Sequence, residues 1–264
     1  MSHLEAVSAF VEGAPPGESI TAETEPELVD QLTPAFKKYN EEQFITVKLP
    51  GSSQPVIISS HNSIGDDRYF DVETSCSFSF DHATQTASDV QSYGVDGPQA
   101  DLVKSTLKAL GVYVKEHYPN AAYGVYPTES DSKVAVVIVA SKYSPSNYWN
   151  GRWRSFYIFN PSDGSLEGSA KVDVHYYEDG NVRLLTDKGV SASVPSGTGA
   201  GIAKEISAAE KKYQDELNRG FVSLSEGAFK GLRRQLPVTR QKIEWDKVTG
   251  YRLGQDIGGG SSKR

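Results

Sequence analysis

Residues 121–186 read AAYGVYPTESDSKVAVVIVASKYSPSNYWNGRWRSFYIFNPSDGSLEGSAKVDVHYYEDGNVRLLT, and this stretch decides the fold. It holds five runs rich in β-branched and aromatic residues: Ala121–Tyr126, Lys133–Ser141, Gly151–Phe159, Ala170–Tyr177 and Val182–Thr186. Such residues fit a pleated, half-buried surface. The connectors are short and carry turn chemistry, Pro161-Ser-Asp-Gly164 and Asp179-Gly180. Parallel neighbours need crossovers of a dozen residues or more, so short connectors force antiparallel pairing. The stretch therefore predicts a five-stranded antiparallel meander over 121–187.

Helical periodicity flanks it. Val103, Leu107, Leu110 and Val114 fall on one stripe of a helix over 98–117. Ile202, Ile206, Ala209, Tyr213 and Leu217 do the same over 201–217, a helix placed to lie across one sheet face. Phe229, Leu232 and Leu236 mark a short helix over 225–236, which Pro237 stops. Residues 1–43 read as short helices punctuated by Pro15, Pro16, Pro26 and Pro34. Leu28, Leu32, Phe36 and Tyr39 form an apolar face, and Pro34 predicts two helices meeting near Thr33. Small strands follow in 44–80, at Phe44–Leu49, Val56–Ser59 and Cys76–Phe80. The fold class is α+β.

The chain has 264 residues, 38% of them hydrophobic and 23% charged, an ordinary globular composition. A single cysteine, Cys76, excludes an internal disulfide framework and fits a reducing compartment. The longest apolar run, Val134–Ala140, is seven residues and too short for a membrane helix, and the first residues do not read as a signal peptide. Charge is unevenly spread. Residues 228–264 carry nine basic residues against Glu244, Asp246 and Asp256, a balance of +6. With a net charge of −7, that leaves −13 on residues 1–227. So acidic a body argues against nucleic acid, while the tail suits an acidic surface.

Catalytic patterns are missing. His3, His61, His82, His117 and His175 have no metal-ligand spacing, and one cysteine cannot build a thiolate zinc site. Gly197-Thr-Gly199-Ala-Gly201 lacks the spacing of a phosphate loop and reads as a flexible helix start. His175-Tyr-Tyr-Glu-Asp179 reads as a hairpin end with tyrosine packing, in preference to an acid–base site. In Tyr148-Trp149-Asn-Gly-Arg-Trp153-Arg154, arginines covering tryptophan faces at a strand start are preferred to a stacking ligand site. No cofactor, metal or enzymatic activity is expected.

The C-terminal block is more telling. Lys230 and Arg234 are four apart and so neighbours on one helix face, with Arg233 beside them and Arg240 just past Pro237. Trp245, Val248 and Tyr251 recur every three residues with basic residues between, a weak amphipathic stripe that Gly250 shortens. A basic ledge followed by such a segment is a device for binding an acidic partner.

The words APPGE (14–18), NGRWRS (150–155), VHYYEDGNV (174–182), LRRQLPVTR (232–240) and KIEW (242–245) stand in an order and spacing that resembles the alpha subunit of F-actin capping protein, over about residues 6–255. The resemblance implies an obligate heterodimer with a homologous beta subunit that continues the sheet. It implies binding to filament barbed ends, without catalysis, at the cytoplasmic, cortical actin cytoskeleton. It divides the chain into a body, 1–236, and a mobile C-terminal tentacle, 237–264. By the same resemblance Lys230, Arg233, Arg234, Arg240, Trp245, Val248 and Tyr251 contact actin. Lys230 and Arg234 also meet phosphoinositides, and capping regulators use the same ledge. A phosphoinositide-binding membrane-surface adaptor using that ledge is the alternative.

Overall fold

The computed structural model describes residues 3–14, 26–52, 54–118, 120–128, 132–177 and 182–226. Helices α1 (His3–Glu12) and α2 (Pro26–Glu42) come first. Strands β1 (Thr46–Lys48) and β2 (Pro55–Ile57) form a two-stranded sheet. A 3-10 turn (Ser60–Asn62) leads to β3 (Ser63–Gly65), β4 (Arg68–Asp71), β5 (Cys76–Asp81) and β6 (Thr86–Ser92), a four-stranded sheet. Helix α3 (Ala100–His117) precedes β7 (Ala121–Thr128), β8 (Lys133–Ser144), β9 (Trp149–Asn160), β10 (Ser165–Tyr176) and β11 (Val182–Ser193). Helix α4 (Gly199–Glu226) follows.

Strands β7 to β11 pair in sequence order, each antiparallel to the next, as the meander requires. The β9–β10 turn is built as its residues suggest. Gly164 adopts φ +70°, its N–H bonds Asn160 O at 2.9 Å, and Asp163 Oδ1 accepts from the Ser165 N–H at 2.8 Å. Alternation gives the sheet two faces. On the first, Val136, Ile138, Trp153, Tyr157 and Val172 pack under α3 and α4. There α3 contributes Val103, Leu110 and Val114, and α4 contributes Ile202, Ile206 and Tyr213, all buried.

Four local expectations are revised. Pro34 does not divide α2, which runs unbroken through it. Proline inside a helix costs about 3 kcal/mol, but burying Leu32, Phe36 and Tyr39 against Val11 of α1 returns about 1.5–3 kcal/mol per side chain. Strand β11 continues past Gly189 to Ser193, because among the described residues it pairs on one side only and tolerates polar and small residues there. The glycine-rich start of α4 is tightly packed. A Cβ on Gly199 would strike the α3 backbone at Ser105 and Thr106, and Thr198 caps the helix through its Oγ1 to the Gly201 N–H at 3.2 Å.

The fourth revision concerns the arginines of NGRWRS. They turn away from Trp153, onto the second face of the sheet. Arg152 Nη2 bonds the carbonyls of Gln43 and Phe44 (2.5 and 3.1 Å), and Arg154 Nη1 bonds Glu42 O at 2.7 Å. Arg183 of β11 holds Gly13 O at 3.0 Å and grips Asp173 with two bonds of 3.1 and 2.7 Å. Three guanidiniums thus occupy the carbonyl ends of α1 and α2, where the helix dipole favours cations. A lysine, Lys142, is the cation over a tryptophan, 5.9 Å from the Trp149 ring. At the HYYED end, His175 and Tyr177 rings lie 5.3 Å apart and Tyr148 meets Tyr177 edge-on, so tyrosine packing does form.

A buried histidine joins α2 to the four-stranded sheet. His82 Nδ1 accepts from Asn40 Nδ2 at 3.2 Å. Tyr69 gives its own proton to Glu41 at 2.7 Å, so its oxygen accepts from His82 Nε2–H at 3.0 Å. The neutral ring satisfies every bond, and protonating Nδ1 would set two donors against each other. Burial lowers the His82 pKa, with Lys37 adding to it and Asp67 and Asp81 opposing. A folded-state pKa below the unfolded value of about 6.5 means full stability above that pH and progressive loss as pH falls through the folded value. Urea midpoints at pH 7.5 and 5.0 should therefore fall more for the wild type than for His82→Gln. Equal falls would locate the acid sensitivity elsewhere.

Candidate functional site: an open sheet edge and the helix that leads to the basic block

The two edges of the five-stranded sheet are not alike. At β7, strand β2 and the 3-10 turn pack alongside. At β11, a twelve-residue strand pairs, among the described residues, only with β10, and its outer N–H and C=O groups meet no other described strand. Residues of β11 alternate between α4 and the second face. Thr186 Oγ1 lies 3.1 Å from Tyr213 Oη and Lys188 Nζ 2.9 Å from Glu216, whereas Leu185 stands 59% exposed. Other exposed apolar groups are Val222 on α4 and Phe10 on α1, at 55% and 77%. A long open edge that carries an exposed leucine is a template for another chain.

Helix α4 is fastened to the sheet by a polar centre that sequence reading missed. Glu210 is fully buried, and both its oxygens are fully occupied. Oε1 accepts from Ser155 Oγ (2.5 Å) and Tyr157 Oη (2.9 Å), and Oε2 from Tyr113 and Tyr118 (2.7 Å each). An ionised carboxylate has about four acceptor positions, so four hydroxyls complete it. Burial first, and then the Glu210 charge, drive the phenols of Tyr113, Tyr118 and Tyr157 far up, so they remain donors. Gln214 adds a bond to Tyr118 Oη at 2.9 Å. The faint sequence signal is a glutamate four after Ile206 and three before Tyr213, at the rim of the α4 stripe.

This centre fixes α4 against the sheet as far as Glu226, where the described residues end. Lys230, Arg233, Arg234, Arg240, Trp245, Val248 and Tyr251 all lie outside the described residues, as do Glu178 and Asp179. Among the described residues, no group of three or more His, Cys, Asp or Glu could hold a metal ion, and no helix is long and apolar enough to cross a membrane.

Comparison with known families finds the model of the F-actin capping protein alpha subunit matching residues 7–256. The chain belongs to the F-actin capping protein alpha subunit family. Named members are similar over their full length. The F-actin-capping protein subunit alpha of Gibberella zeae is 72% identical, with all of both chains covered. That of Neurospora crassa is also 72% identical, over 100% of this chain and 99% of the relative. That of Yarrowia lipolytica is 41% identical over 98% of each. Among solved structures, the homodimeric actin capping protein alpha subunit from Plasmodium berghei matches with a TM-score of 0.67. It covers 89% of this chain and 97% of that one at 18% identity, a likeness of fold. Membership places the chain among actin-capping proteins of the cytoskeleton and accords with the α+β fold.

Proposed function

We propose that this chain is the alpha half of a heterodimer with a homologous beta subunit, and that the dimer binds actin filament barbed ends and blocks subunit addition and loss. It neither severs filaments nor catalyses a reaction. The open β11 edge, in a chain of the capping protein alpha family, carries this reading, because a partner strand there would extend the sheet. The body, 1–236, serves as the scaffold and 237–264 as a mobile tentacle. Lys230, Arg233, Arg234 and Arg240 face acidic actin, with Trp245, Val248 and Tyr251 as the apolar stripe. Lys230 and Arg234 also take phosphoinositide headgroups, which compete with the filament. The dimer works at the cortical actin cytoskeleton.

Elongation from filament seeds, followed as actin fluorescence with the co-expressed pair, tests this. Barbed-end growth should stop at substoichiometric dimer. Undiminished growth together with tight binding to phosphoinositide vesicles would instead favour the adaptor reading. Expressed alone, the chain should aggregate, since its β11 edge and exposed Leu185 lack their cover. With the beta subunit it should purify at one to one. A monodisperse, cooperatively melting monomer would refute the obligate pairing. A stable pair of identical chains would replace the beta subunit by a second copy.

A further inference from the structure

A cavity of about 670 Å³ lies where the last turns of α2 meet the second face of the five-stranded sheet. Its apolar side is aromatic. His61 stacks on Phe156 with ring centres 5.8 Å apart and 29° between planes, and Phe44 meets Phe156 edge-on at 6.5 Å. Its polar side gathers Lys37, Lys38, Glu41 and Glu42 from α2, Arg154 from β9 and Lys171 from β10.

Most of these charges are already engaged. Lys37 is paired with Asp67 at 2.8 Å and Lys38 with Glu12 at 2.5 Å, while Glu41 accepts the Tyr69 hydroxyl. Two cations keep capacity to spare. Arg154 bonds a backbone carbonyl through Nη1 alone among the described residues, which leaves Nη2 as a donor. Exposed Lys171 makes no hydrogen bond or ion pair among the described residues. Counted over the lining, four cations, Lys37, Lys38, Arg154 and Lys171, stand against Glu41 and Glu42, with Lys37 and Lys38 paired to Asp67 and Glu12 outside it, in a chain of net charge −7. Burial, and then the neighbouring Arg152, push the Arg154 pKa down to about 10 against the opposing pull of Asp173, so the side chain is still a cation at pH 7. Burial also lowers the His61 pKa, so this ring is neutral at pH 7 and serves as a flat surface.

We propose that this cavity binds a flat-ringed anion, with its ring against His61 and Phe156 and its phosphate or carboxylate on Arg154 and Lys171. The volume suits a ligand up to the size of a mononucleotide. Stacking and a charge-assisted bond fix the two ends separately, so a ligand that carries both binds more tightly than one that carries either.

Titration calorimetry on the full chain, in complex with whichever subunit purifies with it, tests the proposal with AMP, phenyl phosphate, benzoate and inorganic phosphate as probes. AMP and phenyl phosphate should bind saturably at one site, about tenfold or more tighter than inorganic phosphate. Benzoate against phenyl phosphate separates a carboxylate site from a phosphate site. Lys171→Ala, on an exposed position that folding does not need, should weaken every probe about tenfold, the loss expected for one charge-assisted bond. His61→Ala should bring the ringed probes down toward inorganic phosphate and leave inorganic phosphate unchanged. Absence of saturable binding by any probe, or equal affinity of wild type and Lys171→Ala, overturns the site. Ringed probes no tighter than inorganic phosphate overturn the aromatic half of it.

Discussion

Glu210→Ala should destabilise the chain by about 4 kcal/mol, at the severe end of single substitutions. The change removes the acceptor of four buried hydroxyls at once, those of Tyr113, Tyr118, Ser155 and Tyr157. Each unsatisfied buried donor costs about 1–3 kcal/mol, and partial re-pairing among the hydroxyls brings the total below the sum. In a protein of this size the melting temperature should drop by about 10 °C. Glu210→Gln keeps the shape and one carbonyl oxygen, and two of the hydroxyls can turn to accept from its amide, so a smaller loss is expected. Ser155→Ala removes one donor and should cost about 1 kcal/mol. Glu216→Ala breaks only the surface pair with Lys188 and should cost less than about 1 kcal/mol. Thermal melts of the purified complex order the four variants. A Glu210→Ala melt no lower than that of Glu216→Ala would show that water or re-paired hydroxyls replace the carboxylate, and that α4 is held by its apolar stripe alone.

That centre marks the limit of what the residues disclose one stretch at a time. The meander was legible because its signals are local: alternation within each strand and Asn160–Gly164 chemistry at a turn. The α3 and α4 stripes were legible for the same reason, as helical period survives in any window of a dozen residues. Strands β4 (RYFD) and β6 (TASDVQS) were not. One is four residues long, and the other is mostly exposed and keeps no apolar alternation. Their pairing depends on β5 between them, which only the folded chain supplies. Glu210 joins residues up to 97 positions apart, and Arg152 reaches back 109 positions to Gln43. No periodicity encodes such contacts. Both residues looked ordinary where they stood, a glutamate among lysines and an arginine beside a tryptophan. The basic block is the reverse case. Its words are distinctive enough to suggest a family, and the family model spans it, while the spatial arrangement of its cations lies outside the described residues.

The block therefore has to be tested by its effect on filaments, and the double reversal Arg234→Glu with Arg240→Glu should weaken capping by about a thousandfold. Interface arginines commonly lose about 2 kcal/mol or more on truncation, and about 1.4 kcal/mol is tenfold in affinity, so two such losses amount to three decades. Reversal adds repulsion from an acidic partner surface. Association should slow, and its dependence on salt should shrink, because long-range attraction acts on the encounter. The fold should not suffer: neither residue belongs to the described core, where α4 is held by Glu210, Ile202, Ile206 and Tyr213. Melting temperature and copurification with the partner subunit should thus match the wild type while barbed-end growth resumes. This pairing of readouts separates the site from its scaffold, since Glu210→Ala should lower both stability and capping. If the double reversal caps filament ends as the wild type does, Arg234 and Arg240 do not face actin. The affinity must then come from the stripe at Trp245, Val248 and Tyr251 or from the partner subunit.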